Sequence, residues 1–181
     1  TDMLGIWDYY ITKFEIIATR SAHALERLTV AEVLDLRKPY ILRRWDHDEP
    51  VDDQETASQD QAEQHHDIPT RELIPALSKL TTMLQHMVQV LPPNLLLPVY
   101  RHIAASLSHA IVERVLMPNA RFSQQFTASQ AQRFCLDVKQ GWLHVAQEIA
   151  IHPKVSARQA KGMPTGLGRD PATAWRVLVD A

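Results

Sequence analysis

The sequence predicts an all-α fold, an antiparallel bundle of five to six helices. Apolar residues recur at alternating steps of three and four over most of the chain, which is the period of an amphipathic helix. Only five of the 181 residues are glycine, and the extended alternating runs of Val, Ile and Thr that strands favour are absent. A chain of this length can bury roughly 70% of its unfolded surface. We therefore expect residues 1–181 to form a single domain.

The first element is a long helix with a heptad-like apolar seam. The seam continues for more than three heptads, which is typical of a helix that packs along its length against neighbours. We expect an intramolecular core to cover it, and pairing with another chain is the alternative. The seam consists of Leu4, Trp7, Ile11, Phe14, Ala18, Ser21, Leu25 and Leu28.

A second helix is expected to begin at Thr29, whose hydroxyl can cap it while Glu32 completes a capping box. Pro39 lies inside the apolar pattern that follows. It must kink or split this helix, because the residue before a proline avoids helical angles.

The second helix is followed by a change in composition. Arg37-Lys38 and Arg43-Arg44 lie near its end, where cations complement the helix dipole. Residues 46–67 then contain almost no large apolar side chain and many acidic ones. Such a segment cannot bury enough surface to offset its ordering entropy, which predicts a mobile acidic loop.

Four more helical segments follow. The third spans about residues 73–91, with Pro75 in its first turn and Pro92-Pro93 at its end, and the fourth spans about 96–115. The fifth is expected to begin at Thr127, with Gln130 at the reciprocal capping position. Its predicted buried face is Ala131, Phe134, Val138, Trp142, Val145 and Ile149.

The end of the chain is expected to hold a connector and a short helix. Pro153 should end the fifth helix, and residues 154–169, which are basic and carry three of the five glycines, should form a loop. A solvated connector is the expected role of this loop, and contact with anionic lipid is the alternative. Asp170-Pro171 then has the cap and the proline that favour a helix start, with Trp175 and Leu178 on the terminal helix.

The composition excludes several classes of protein. Lys and Arg number 19 against 21 acidic residues, so a basic face that holds nucleic acid is not expected. The single cysteine, Cys135, excludes an intrachain disulfide and fits a reducing compartment. Its apolar neighbours predict a buried, inert thiol. No run of 18 apolar residues is present, so we expect no membrane span.

Candidate metal and catalytic residues are few. His47, His65 and His66 lie on the predicted mobile loop, which cannot present a fixed tetrahedron. His102, His109 and Glu113 share one face of the fourth helix, but a polar outer face explains them better.

Other catalytic motifs are also missing from the sequence. It has no Gly-x-Ser-x-Gly elbow, and the stretch from Gly162 to Gly168 lacks the lysine of a phosphate loop. We predict no catalytic site, no cofactor and no metal.

One corner of the sequence carries a family resemblance. The helix end Glu113-Arg-Val-Leu is followed by an Asn, by Phe126, and by a second helix containing Leu136-Asp137-Val138. Upstream, Leu36 to Trp45 contains a Lys-Pro-Tyr helix. Together these segments resemble the carboxy-terminal region of the RINT/Tip-twenty family, with Ser129-Gln130 where the family has Gly-Gly. The motif residues that carry the resemblance are Phe126, Ala131, Phe134, Leu136 and Asp137.

The resemblance implies a non-enzymatic protein. Members of that family are subunits of vesicle-tethering complexes, built as helical rods, that act in Golgi-to-ER retrograde transport. They join other tether subunits and SNAREs of the endoplasmic reticulum. The implied location is cytoplasmic and peripheral to that membrane, with contact through partners. The alternatives are an unrelated helical interaction module or the rod of another tether, and, less favoured, a helical enzyme or metal protein.

Three of the motif residues, Phe126, Phe134 and Leu136, are expected to be packing residues. Asp137 is an acid between apolar neighbours. We expect it to accept hydrogen bonds from the link that carries Arg121 and Phe122.

Overall fold

A computed structural model of the chain describes residues 3–45, 68–117, 126–163, 165, 167 and 170–180. Every regular element within those ranges is helical, which confirms the predicted all-α helical bundle. The elements in chain order are α1 (Met3–Leu36), α2 (Lys38–Ile41), α3 (Ile74–Val90), α4 (Pro93–Ile111) with a π-helical turn (Val112–Leu116), α5 (Ala128–Leu136), a π-helical segment (Asp137–Trp142), α6 (Leu143–Ala150), α7 (Pro153–Ala160), a 3-10 turn (Pro171–Trp175) and α8 (Arg176–Val179).

Helix α4 lies at the centre of the bundle. It packs against α1, the 3-10 turn and α8, while α3 packs against α1 and α6. The hydroxyl of Tyr100 on α4 donates to the carbonyl of Pro171 at 2.8 Å and accepts from the indole of Trp175 at 3.1 Å. Burial raises the pKa of Tyr100 to about 12. These contacts attach the end of the chain to the core helix.

The segment from Pro93 to Leu116 is long and apolar enough to cross a membrane by length and composition alone. We had expected no such segment, because it contains no unbroken run of 18 apolar residues. Its fully buried residues include Tyr100, Ile103 and Leu107, which lie in the core of the bundle. Burial in the core therefore accounts for its hydropathy.

Several predicted helix ends are confirmed. Pro75 lies in the first turn of α3, and Pro92-Pro93 follow the end of α3 at Val90, as predicted. Pro93 also begins α4, three residues before the predicted start of that helix. The hydroxyl of Thr127 accepts from the backbone of Gln130 at 3.3 Å, as expected for the cap of α5. The Asp170 carboxylate accepts from the backbone of Ala172 at 2.9 Å, which starts the terminal 3-10 turn.

The predicted helix start at Thr29 is wrong, because α1 continues without interruption to Leu36. Thr29 is fully buried, and its hydroxyl donates back to the carbonyl of Leu25 at 2.8 Å. Glu32 forms an ion pair with Lys79 of α3 at 2.5 Å. Both residues of the apparent capping box therefore contribute to helix packing. The helix break occurs near Pro39 instead, where α1 ends at Leu36 and α2 begins at Lys38.

The predicted loop over residues 154–169 is also partly wrong, because it contains α7. Pro153 begins this helix, since proline suits the first helical position. Val155 is buried against the core. The helix ends in a Schellman motif, in which Gly162 adopts a φ of 66° and the backbone N–H of Met163 reaches the carbonyl of Arg158 at 2.9 Å.

Gly141, within the π-helical segment, lies close to a neighbouring helix. A Cβ atom placed on Gly141 would lie 2.9 Å from Cδ1 of Leu77. This close approach brings the π-helical segment against α3. The predicted acidic loop, 46–67, lies outside the described residues.

Arg37 departs from the expected role of a surface cation at a helix end. Its side chain is only 2% exposed, and its Nε and Nη1 atoms have no hydrogen-bond partner within the described part of the chain. Burial, followed by the nearby charge of Arg114, lowers the pKa of Arg37 to about 10. Arg37 stays charged at neutral pH, so the burial of its guanidinium costs free energy of folding.

We predict that Arg37→Met will raise the free energy of unfolding by about 1 kcal/mol or more, because methionine keeps the apolar stem and removes the buried charge. The measurement is denaturant unfolding of the chain, with Arg27→Met on the exposed surface of α1 as the matched control. A less stable Arg37→Met variant would contradict the prediction and show that the guanidinium supports the fold.

Candidate protein interface

Asp137 is the most deeply placed acidic side chain among the described residues. It is 0% exposed and lies at the start of the π-helical segment after α5. Its Oδ1 accepts from the backbone N–H of Thr70 at 2.6 Å, and its Oδ2 accepts from the hydroxyl of Thr70 at 2.6 Å. One residue just before α3 thus satisfies both carboxylate oxygens.

Arg121 and Phe122, which we expected to donate hydrogen bonds to Asp137, lie outside the described residues. Thr70 was missed, because it stands 67 positions away and no local pattern links the two. The only signal was a threonine shortly before a helix, which is a common capping position.

Two more side chains complete the surroundings of Asp137. The guanidinium of Arg133 donates to the Thr70 hydroxyl at 2.9 Å and to the Ile68 carbonyl at 2.6 Å. Its Nε lies 3.9 Å from Oδ1 of Asp137. Burial raises the pKa of Tyr40 far above its usual range, and the charge of Asp137 raises it further. The Tyr40 phenol therefore stays protonated. Asp137, Thr70, Arg133 and Tyr40, which we call the Asp137 group, connect α2, the start of α3 and α5.

Aromatic packing surrounds this group. Trp45 lies 5.1 Å from Tyr40, 5.2 Å from Phe126 and 5.9 Å from Phe134, measured between ring centroids. The backbone N–H of Thr127 also donates to the Trp45 carbonyl at 3.3 Å. Phe126 and Phe134 are therefore packing residues, as expected.

The other motif residues are less buried. Leu136 is half-buried, and Ala131, which was predicted on the buried face, is exposed. Cys135 is exposed too, which corrects the prediction of a buried thiol. It lies about 100° round the helix from Phe134, so its side chain does not enter the core with Phe134. Whether the five residues form a family motif stays a prediction.

Ala131 and Cys135 border an apolar groove of about 400 Å³, whose lining includes Leu116, Phe126, Val138 and Leu178. Leu116 and Phe126 stand on either side of residues 118–125, which the structure does not describe. The groove is therefore not evidence of a free surface.

Among the described residues, a cluster of exposed apolar side chains lies on the first half of α1. Every residue from Trp7 to Ser21 is exposed, and Ala22 is the first buried one. The prediction that the whole seam packs in an intramolecular core is therefore wrong for this half within the described chain. We define the α1 apolar face as Trp7, Tyr10, Ile11, Phe14 and Ile17, which are 51–69% exposed.

The histidines are arranged differently from the expected set. His102, His109 and Glu113 are all exposed on α4 and its continuation. His102 turns towards α1, where its Nδ1 lies 3.4 Å from Glu26 Oε2. Among the described residues, the group close enough to share a metal is His23, Glu26 and His102.

Comparisons with known proteins give one match. A model of the RINT-1/TIP-1 family matches residues 4–159, which is most of the chain. No curated protein and no solved structure matches.

We predict that Asp137→Ala will lower the free energy of unfolding by about 3 kcal/mol, because it leaves the buried polar groups of Thr70 without an acceptor. Denaturant unfolding of the chain is the measurement. Asp180→Ala is the matched control, since Asp180 pairs with Arg176 four residues earlier but is exposed, and its loss should cost at most ~0.5 kcal/mol. Equal stability of the two variants would contradict the assigned role of Asp137.

Proposed function

Because the chain belongs to the RINT-1/TIP-1 family, we propose that it is a non-enzymatic, single-domain part of a helical rod in a vesicle-tethering complex. The family indicates a tether-type role. Our proposal is finer: the chain scaffolds tether subunits and ER SNAREs in Golgi-to-ER retrograde transport. It would act on the cytoplasmic side of the endoplasmic reticulum and reach the membrane through these partners. No nucleic acid is expected among them.

The single observation that supports a scaffolding role is the α1 apolar face. Five large side chains that are each at least half exposed present roughly 500 Å² of surface, since one aromatic side chain carries about 150–250 Å². An exposed patch of that size is typical of a protein interaction site. At 1.5 Å per residue, the exposed half of α1 is on the order of 25 Å long.

The pattern of α1 favours a helix as the occupant of this face. Trp7, Ile11 and Phe14 lie on the same side of α1 as Ala22, Leu25 and Val33, which belong to the half of the helix that packs on the bundle. The three- and four-residue spacing of apolar side chains that packs α1 on other helices therefore continues into its exposed half. We propose that an amphipathic helix of another tether subunit covers the α1 apolar face.

The charges beside the face agree with such a partner. Asp8, Lys13, Glu15 and Arg20 are two acids and two bases on the exposed half of α1. A surface with balanced charge does not select a strongly acidic or basic partner, so apolar packing would supply most of the affinity.

We predict that the double variant Trp7→Ser, Phe14→Ser in the full-length protein will reduce recovery of tether subunits by co-purification at least tenfold. The reason is that the two substitutions remove large apolar side chains from the proposed interface. Ile151→Ser is the matched control, because Ile151 is an apolar side chain that is 74% exposed elsewhere on the surface. Recovery in this control should equal that of the wild type.

Two outcomes would overturn the assignment of the α1 apolar face to a partner helix, and a third would overturn the tethering role. Unchanged recovery of tether subunits by the double variant would exclude the α1 apolar face as their docking surface. A sharp fall in the melting temperature of the double variant would mean that the protein's own chain covers this face. Failure of the wild type to recover any tether subunit or ER SNARE would contradict the tethering role itself.

A further inference from the structure

Three metal-ligand side chains meet where α1 and α4 pack together. His23 and Glu26 are separated by three residues on α1, which places them on one side of the helix. His102 approaches from the middle of α4. Oε2 of Glu26 lies 3.2 Å from Nδ1 of His23 and 3.4 Å from Nδ1 of His102. The two imidazole rings are nearly parallel, with centroids 6.3 Å apart.

These separations fit tetrahedral coordination. With zinc–ligand bonds of about 2.0–2.2 Å, two ligand atoms of a tetrahedron are about 3.3–3.5 Å apart. Both nitrogen–oxygen distances are within 0.1 Å or so of that range, and one ligand atom from each of the three residues lies within 4.8 Å of the others. The site therefore requires only a small closure between the two imidazoles.

The two histidine side chains are more exposed than Glu26, so they can rotate until their ring nitrogens are close enough to share a metal. The side chain of Glu26 is 15% exposed, whereas those of His23 and His102 are 57% and 58% exposed. The carboxylate is thus held by its surroundings, while both rings can rotate towards a common point. Solvent can reach the fourth coordination position.

We propose that His23, Glu26 and His102 form a two-histidine, one-carboxylate site for a divalent transition metal, with zinc as the best fit. Imidazole nitrogen is a ligand that zinc accepts and that magnesium and calcium do not favour. This site departs from the sequence-based expectation of no metal, because its third ligand lies 76 residues from Glu26.

The position of the site suggests what the metal does. Ala22, next to His23, is the first buried residue of α1, and the preceding half of the helix lies outside the core. A metal bound here would join α1 to α4 at the point where α1 leaves the bundle. Its role is structural: it fixes the direction in which the α1 apolar face projects.

We predict that zinc alone, titrated into the metal-free chain and followed by calorimetry, binds with one equivalent at this site and raises the melting temperature. His102→Ala and Glu26→Gln should each weaken the affinity at least tenfold, because each removes a ligand from a three-residue set. His109→Ala is the matched control, since His109 is another exposed histidine of α4, and it should bind zinc as the wild type does.

A second variant separates this site from the remaining histidines. His65→Ala, His66→Ala removes the adjacent pair in residues 46–67 and should leave the affinity unchanged. Cobalt provides an independent readout, because a four-coordinate cobalt spectrum should be present in the wild type and lost in His102→Ala.

Three results would overturn the proposal: no zinc binding by the wild type, undiminished binding by both His102→Ala and Glu26→Gln, or binding that disappears in the His65, His66 variant. Melting curves of each variant without metal show whether the fold is retained. None of these results depends on recovery of tether subunits, so the metal site and the proposed function fail or stand separately.

Discussion

A buried carboxylate must be hydrogen-bonded, and the way Asp137 meets this requirement organises one end of the bundle. Thr70 offers a backbone N–H and a hydroxyl to the two carboxylate oxygens. Arg133 then ties the same hydroxyl to the chain just before it. An unpaired charge at this depth would cost several kcal/mol, so the start of α3 is held against α5. Trp45 adds aromatic packing between α2 and α5 through Tyr40, Phe126 and Phe134.

The two halves of α1 show how one periodic pattern meets two environments. From Ala22 onwards α1 buries one side, including Ala22, Thr29 and Val33, against the bundle, and Glu32 adds an ion pair with Lys79 of α3. Before Ala22, side chains of the same character remain exposed. An apolar helical surface in water is unfavourable. Our proposal that a partner helix covers this surface is what links the fold to the proposed scaffolding role.

The junction between these halves is where His23, Glu26 and His102 converge. Helix packing brings His102 to Glu26, and the helical spacing of α1 adds His23. A metal at this point would act on the direction of α1, whereas the Asp137 group acts where α2, α3 and α5 meet. Polar contacts thus join helices at several points of the described chain, including Tyr100 to the terminal 3-10 turn and Glu32 to Lys79.

Sequence by itself determined the features that depend on neighbouring residues. The helical period, the prolines at the start and after the end of α3, and the caps at Thr127 and Asp170 all act within one turn of the backbone, so local chemistry decides them. The family resemblance was also readable, because it rests on short motifs in order along the chain. The same local rules failed at Thr29, where burial overrode a plausible capping box.

Only the tertiary structure decided which apolar and polar residues find partners. Within the described chain the first half of α1 is exposed and the second half packs on the bundle, Arg37 is buried while Cys135 is exposed, and Asp137 accepts hydrogen bonds from Thr70, 67 positions away. Glu26 meets His102 for the same kind of reason. The helical periodicity of the sequence predicts on which side of its helix each residue lies. Which element lies opposite that face depends on how distant segments pack, and no local pattern encodes it.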